Sequence, residues 1–132
     1  MSFARGWKRA AFNDNVLCVP MNSASAPLTS GSAPRPTPDP AHRAVARAWL
    51  EEIGAMPKRA LGQNFLVNPG VLDRIVETAQ VSGEDAVLEI GPGLGALTSR
   101  LALRARQVVA VEKDTALCAL LRRKLPAPQL HL

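Results

Sequence analysis

Between Ala86 and Glu112 the apolar positions change their period twice. Ala86-Val87-Leu88-Glu89-Ile90 is apolar but for one carboxylate, the composition of a strand buried on both faces, and Val108, Val109 and Val111 repeat it ahead of Glu112. Between these runs Leu97, Leu101 and the basic stretch Arg104 to Arg106 follow helical spacing, with an apolar face and a basic far end. Gly91-Pro92-Gly93-Leu94-Gly95 separates the first run from that helix. The pattern predicts strand, glycine loop, helix, strand. Such a βαβ unit is the nucleotide-binding half of a doubly wound α/β sheet.

The flanking elements are also legible. Asn68-Pro69 is a capping residue followed by a proline suited to the first helical position, and Val71, Leu72, Ile75, Val76 and Ala79 then fall on one helical face. Ser82-Gly83-Glu84-Asp85 reads as the turn into the first strand. Asp114 caps a further helix that buries Ala116, Leu117, Leu120 and Leu121, carries Arg122, Arg123 and Lys124 in its last turn, and ends at Pro126. A third strand would begin at Gln129-Leu130-His131-Leu132. Upstream, Asp39-Pro40 repeats the cap-then-proline signal and predicts a short helix to about Ile53, which either packs on the domain or, as the safer reading, simply presents Arg43 and Arg47 to solvent.

Residues 1–38 are rich in Pro, Ser and Ala and too poor in large apolar groups to bury a core, so they are expected to be a disordered leader. Residues 39–56 form the short helix and 57–132 a truncated nucleotide-binding domain, the front end of a longer sheet. Arg5, Lys8 and Arg9 against a single acid suit either an organellar transit segment or a start codon assigned too early.

The glycine loop lets the backbone turn sharply and approach a ligand without a Cβ in the way, and Glu112 at the second strand's tip is placed to accept hydrogen bonds from a ribose diol. Which nucleoside it takes is left open by the loop. Gly91-x-Gly93-x-x-Ala96 with Glu112 downstream satisfies a NAD fingerprint, which allows an oxidoreductase fragment. Glu89 favours a cationic ligand instead, because a buried carboxylate needs a positive partner and would repel a pyrophosphate; an Arg or Lys of the same chain is the competing explanation.

Lys58-Arg59-Ala60-Leu61-Gly62-Gln63-Asn64-Phe65-Leu66, Glu89-Ile90-Gly91-Pro92-Gly93-Leu94-Gly95-Ala96-Leu97-Thr98 and Val111-Glu112-Lys113-Asp114 together resemble the ribosomal RNA adenine N6-dimethyltransferase family, and the loop run looks most like its small-subunit branch. The resemblance spans about Pro57 to Lys124. It implies a Rossmann-like class I methyltransferase using S-adenosyl-L-methionine on adenines of small-subunit ribosomal RNA or its precursor particle. It also implies cofactor contacts at Asn64, Leu66, Gly91, Gly93, Gly95 and Glu112, beside the Glu89 assigned above from its burial, with Phe65 and Leu66 closing the pocket, unless Phe65 is an ordinary core anchor, and Lys58 and Arg59 facing RNA phosphates. The family's catalytic motif, an Asn or Asp, an aliphatic residue, Pro, then Tyr or Phe, is not in the chain, so no catalytic residue is assigned and the chain alone is expected to be inactive. Relatives that serve as mitochondrial transcription factors supply a third, non-enzymatic reading.

Composition adds little. A net charge of +5 suits an RNA partner but also a basic leader. Cys18 and Cys118 stand far apart without a CxxC or Cys/His cluster, so a reducing compartment, no metal and a packed Cys118 are expected. No stretch has the length of a spanning helix, so no membrane is expected; the chain is expected to be a monomer in the cytoplasm, or in a plastid or mitochondrion if the leader is a transit segment.

Overall fold

The computed structural model describes residues 37–55 and 65–132, together with the backbone of Lys8–Arg9 and Val16–Pro20. Its elements are β1 (Lys8–Arg9), β2 (Val16–Pro20), α1 (Arg43–Glu52), α2 (Pro69–Thr78), β3 (Asp85–Ile90), α3 (Ala96–Ala102), β4 (Gln107–Val111), α4 (Thr115–Lys124) and β5 (Leu130–His131). The strands form one sheet in the order β1-β2-β3-β4-β5. β3, β4 and β5 are parallel, with Val87 opposite Val108, Ile90 opposite Val111 and Val108 opposite Leu130. Both crossovers step in the same direction, as in one half of a doubly wound fold.

The leader departs from its expected lack of structure. Val16–Pro20 pairs antiparallel with β3, setting Val16 opposite Glu89 and Pro20 opposite Asp85, and Lys8–Arg9 pairs with β2 in turn. A sheet whose central strand would otherwise show an unpaired apolar edge recruits the short Val-Leu-Cys-Val run, which a Pro/Ser-weighted composition hides.

The helices begin where local chemistry dictates. Asn68 Oδ1 accepts from the Val71 amide at 3.2 Å with Pro69 at the first helical position, and Asp114 Oδ1 accepts from the amides of Ala116 and Leu117. Asn68→Ala is expected to lower stability by about 1 kcal/mol, seen as a lower urea midpoint at unchanged slope. α1 starts later than its sequence signal. His42 is its N-cap, while Asp39 Oδ1 accepts from the Ala41 amide and Pro40 sits in the turn ahead of the helix.

Leu72 and Val76 of α2 are buried, but Val71 is half-exposed, at the edge of the face predicted for it. α2 and α3 cover one side of the sheet, where Val76, Ala79 and Val81 meet Leu101, Ala102, Val87 and Val108. A second cluster forms where Ala46 and Trp49 of α1 pack with Leu94, Leu117 and Leu120. α1 is therefore a packed helix, one of the two arrangements expected for it, while Arg43 and Arg47 stay exposed and Arg47 pairs with Glu51. Glu52 ties α1 to the end of α4 through Arg123 Nη2 at 2.6 Å and Lys124 Nζ at 2.8 Å.

The opposite face of the sheet was read as buried and is open. Ile90, Val109 and Val111 are 45%, 38% and 52% exposed. Right-handed crossovers that step in one direction deliver their helices to one face, so β3 and β4 carry two-sided apolar sequences with only one side covered by the described helices.

Candidate nucleoside site at the glycine loop

The ladder between β3 and β4 runs on into the loop, where the Gly91 amide donates to the Val111 carbonyl at 2.8 Å. From there the chain turns through Gly91, Gly93 and Gly95, all left-handed, at φ of +75°, +59° and +78°. These glycines face different surroundings. A Cβ on Gly91 would meet open space; one on Gly93 would lie 3.1 Å from the Phe65 ring; one on Gly95 would lie 2.5 Å and 2.6 Å from the Leu125 and Leu121 side chains. Gly91 thus offers bare backbone, whereas Gly95, the N-cap of α3, gives α4 room to pack.

A cleft of about 120 Å³ opens beside the loop, bounded by Phe65 and Leu66, by Leu72 and Ile75 of α2, by Glu89, and by the backbone from Ile90 to Gly93. Pro40, from the turn ahead of α1, supplies one more wall. Glu89 is 4% exposed and its Oε2 has no hydrogen-bond partner among the described residues. Burial pushes its carboxyl up to about 7, against the opposing pull of the Thr98 hydroxyl, and the charge of Glu112 adds to the rise. Thr98 Oγ1 is itself buried and makes no hydrogen bond of ordinary geometry, so its hold on Glu89 is weak. No Arg or Lys among the described residues forms an ion pair with Glu89, so none of these supplies the same-chain partner that would explain this acid.

Glu112 lies just past the β4 tip. Its Oε2 accepts from the Gly93 amide at 3.1 Å and its Oε1 from the Asp114 amide at 2.9 Å. It therefore fixes the loop to the start of α4, and each oxygen keeps a lone pair for a further donor. Cys118 is half-buried rather than packed away, with Sγ 3.5 Å from the Glu112 carbonyl.

The structure thus gathers Leu66, Glu89, Gly91 and Gly93 at one cleft and ties Glu112 to the loop that forms its rim. Gly95 stands behind that loop, against α4. Asn64, Lys58 and Arg59 lie outside the described residues. Sequence reasoning missed Pro40 and the Asp39–Arg100 pair behind it, because no local period links residues 61 positions apart. Among the described residues no group of three or more His, Cys, Asp or Glu could hold a metal ion, and no helix is long and apolar enough to cross a membrane.

Comparison with known proteins gives this cleft a family. Residues 55–131 match the family model described as ribosomal RNA adenine dimethylase. A probable ribosomal RNA small subunit methyltransferase A of Thermococcus kodakarensis is 49% identical over 76 residues, covering 58% of this chain and 27% of that protein. A ribosomal RNA small subunit methyltransferase A of Anoxybacillus flavithermus is 54% identical over 72 residues, covering 54% of this chain and 24% of that protein. Among solved structures, a dimethyladenosine transferase from Plasmodium falciparum shares 33% identity with a TM-score of 0.47, covering 48% of this chain and 24% of that one. The chain spans about a quarter of the length of the curated relatives it matches. Since the family model covers more than half of its residues, glycine loop and both strand-tip acids included, the chain belongs to the ribosomal RNA adenine dimethylase family.

Proposed function

We propose that this chain is the donor-binding, amino-terminal part of an enzyme that dimethylates the exocyclic amine of adenines in small-subunit ribosomal RNA with S-adenosyl-L-methionine. Glu89 carries the reading. A buried carboxylate oxygen without a partner, at the wall of a cleft beside bare loop backbone, fits a ligand bearing an ammonium and a sulfonium far better than a pyrophosphate. When bound, such a donor supplies an electrophilic methyl group.

The chain's own residues supply binding and orientation. Glu89 offers charge to the cationic end. Gly91 and Gly93 present backbone without side chains, and Phe65 and Leu66 form an apolar flank. Glu112 offers its remaining lone pairs to the ribose hydroxyls while holding the Gly93 amide. Gly95 serves the site from behind, by letting α4 close against the loop. In the same reading Asn64 joins Leu66 against the donor, Lys58 and Arg59 meet RNA phosphates, and the activity lies where ribosomes are assembled, in the cytoplasm or in an organelle. The base-holding motif belongs to the part of the relatives' length this chain does not span, so the isolated chain is expected to bind donor without transferring methyl groups.

Calorimetric titration of the chain with S-adenosylmethionine and with NADH tests this reading. Saturable binding of the first, weakened about tenfold by Glu112→Ala, is the expected result, since the substitution removes hydrogen bonds to a charged acceptor. Saturable NADH binding with none for S-adenosylmethionine overturns it.

A further inference from the structure

Arg100 belongs to the last turn of α3 and does not line the cleft, yet it reaches three segments that do. Its Nη2 and Nη1 donate to Asp39 Oδ2 and Oδ1 at 2.8 Å and 3.1 Å, a two-pronged pair. Its Nε donates to Asp73 Oδ1 of α2 at 2.7 Å, and Nη1 also donates to the Ala96 carbonyl at 2.9 Å. The guanidinium side chain is 13% exposed, so this is a largely desolvated hub, and each acid it meets adjoins a cleft residue: Asp39 precedes Pro40, and Asp73 follows Leu72. Ala96, whose carbonyl it takes, lines the cleft itself.

Pro40 is fully buried and Asp39 is fixed twice over, since its Oδ1 also accepts from the Ala41 amide and its carbonyl from the His42 amide. Residues 39–41 lie outside the family match, which begins at residue 55. The wall at Pro40 thus comes from outside the family match, and a planar fork with two carboxylates holds it to α2 and α3.

We propose that Arg100 is a positioning residue for donor binding: through Asp39 and Asp73 it sets Pro40, Leu72 and Ala96 at the spacing the donor requires, without touching the donor. This rests on the donor-binding reading given above. Distant misplacement by a fraction of an ångström is sufficient to weaken an oriented ligand.

The test uses the whole chain and S-adenosylmethionine titrated by calorimetry at a temperature where every variant is folded by circular dichroism. Arg100→Gln is expected to raise the dissociation constant about tenfold. Arg100→Lys, which keeps the charge but not the fork, should recover part of that loss. Pro40→Ala leaves the hub intact and removes the wall, and is expected to weaken binding by a similar factor. A purely structural Arg100 would lower the melting temperature while leaving the affinity of the folded chain untouched, and that result overturns the proposal. Unchanged affinity in Pro40→Ala overturns it as well. If the unaltered chain binds no S-adenosylmethionine, the donor-binding reading falls and takes this one with it, whereas a binding wild type with an unaffected Arg100→Gln rejects the positioning role alone.

Discussion

Gly95→Ala is expected to lower folding stability by about 3 kcal/mol, whereas the same change at Gly91 should cost only about 1 kcal/mol. Both residues sit in the left-handed region, at φ +78° and +75°, so both variants meet the same backbone penalty. They differ in what the new methyl group encounters. At Gly91 there is open space, while at Gly95 the Cβ would sit 2.5 Å from one leucine methyl and 2.6 Å from another. Leu121 is fully buried against its neighbours, so its side chain cannot swing aside without opening the contact between α4 and the loop. That overpacking adds about 1–3 kcal/mol to the backbone penalty. Thermal unfolding followed by circular dichroism checks it: a drop of more than about 10 °C for Gly95→Ala and a markedly smaller one for Gly91→Ala. Equal losses would show that α4 is not packed on the loop as described.

The contrast between these glycines bears on what a sequence reveals. That Gly91, Gly93 and Gly95 form a tight loop between a strand and a helix follows from residue type and spacing alone, and so do the Asn68 and Asp114 caps, because the physics involved spans a few residues. Glu89 was legible for the same reason: a carboxylate inside an apolar run is anomalous wherever it stands. What each glycine faces is not local. Gly95, expected at the ligand from its place in the loop, turns its Cβ position toward side chains that return from 26 to 30 residues away, at Leu121 and Leu125.

Asp39 shows the reverse error. Its position ahead of a proline is a sound helix-start signal, and the helix does form nearby, but a buried guanidinium draws the carboxylate to a partner that no pattern in the neighbourhood announces. Ile90, Val109 and Val111 are a third case. An apolar two-sided strand composition records a covering layer for both faces, yet the direction of the crossovers decides that only one is covered by the described helices. Composition states that burial is wanted, and topology decides who provides it.

The larger effect on pH behaviour belongs to Glu89. Its carboxyl titrates near 7 in the folded chain and near 4.5 otherwise, so between these limits the folded chain holds a proton that the unfolded chain has released. Stability therefore falls as pH rises through this window, by about 1.4 kcal/mol per unit and about 3 kcal/mol in all, and is level above it as far as this group is concerned. Asp39 acts with the opposite sign. The Arg100 guanidinium holds its carboxyl below the usual 3.8, so its contribution is present above that value and is lost only as pH falls through the depressed one. Urea midpoints measured from pH 5 to 8 should thus decline for the wild-type chain and stay nearly level for Glu89→Gln, which should be the more stable of the two at pH 8. A cationic donor reverses the balance at Glu89 by favouring the ionised form, so donor binding at pH 6 should release close to one proton, read from the dependence of binding enthalpy on buffer ionisation enthalpy. Glu89→Gln should abolish that release and weaken binding together. Proton release that survives the substitution would mean that another group meets the donor's charge, and the cleft beside Gly91 would then lose its claim to the cationic end of the ligand.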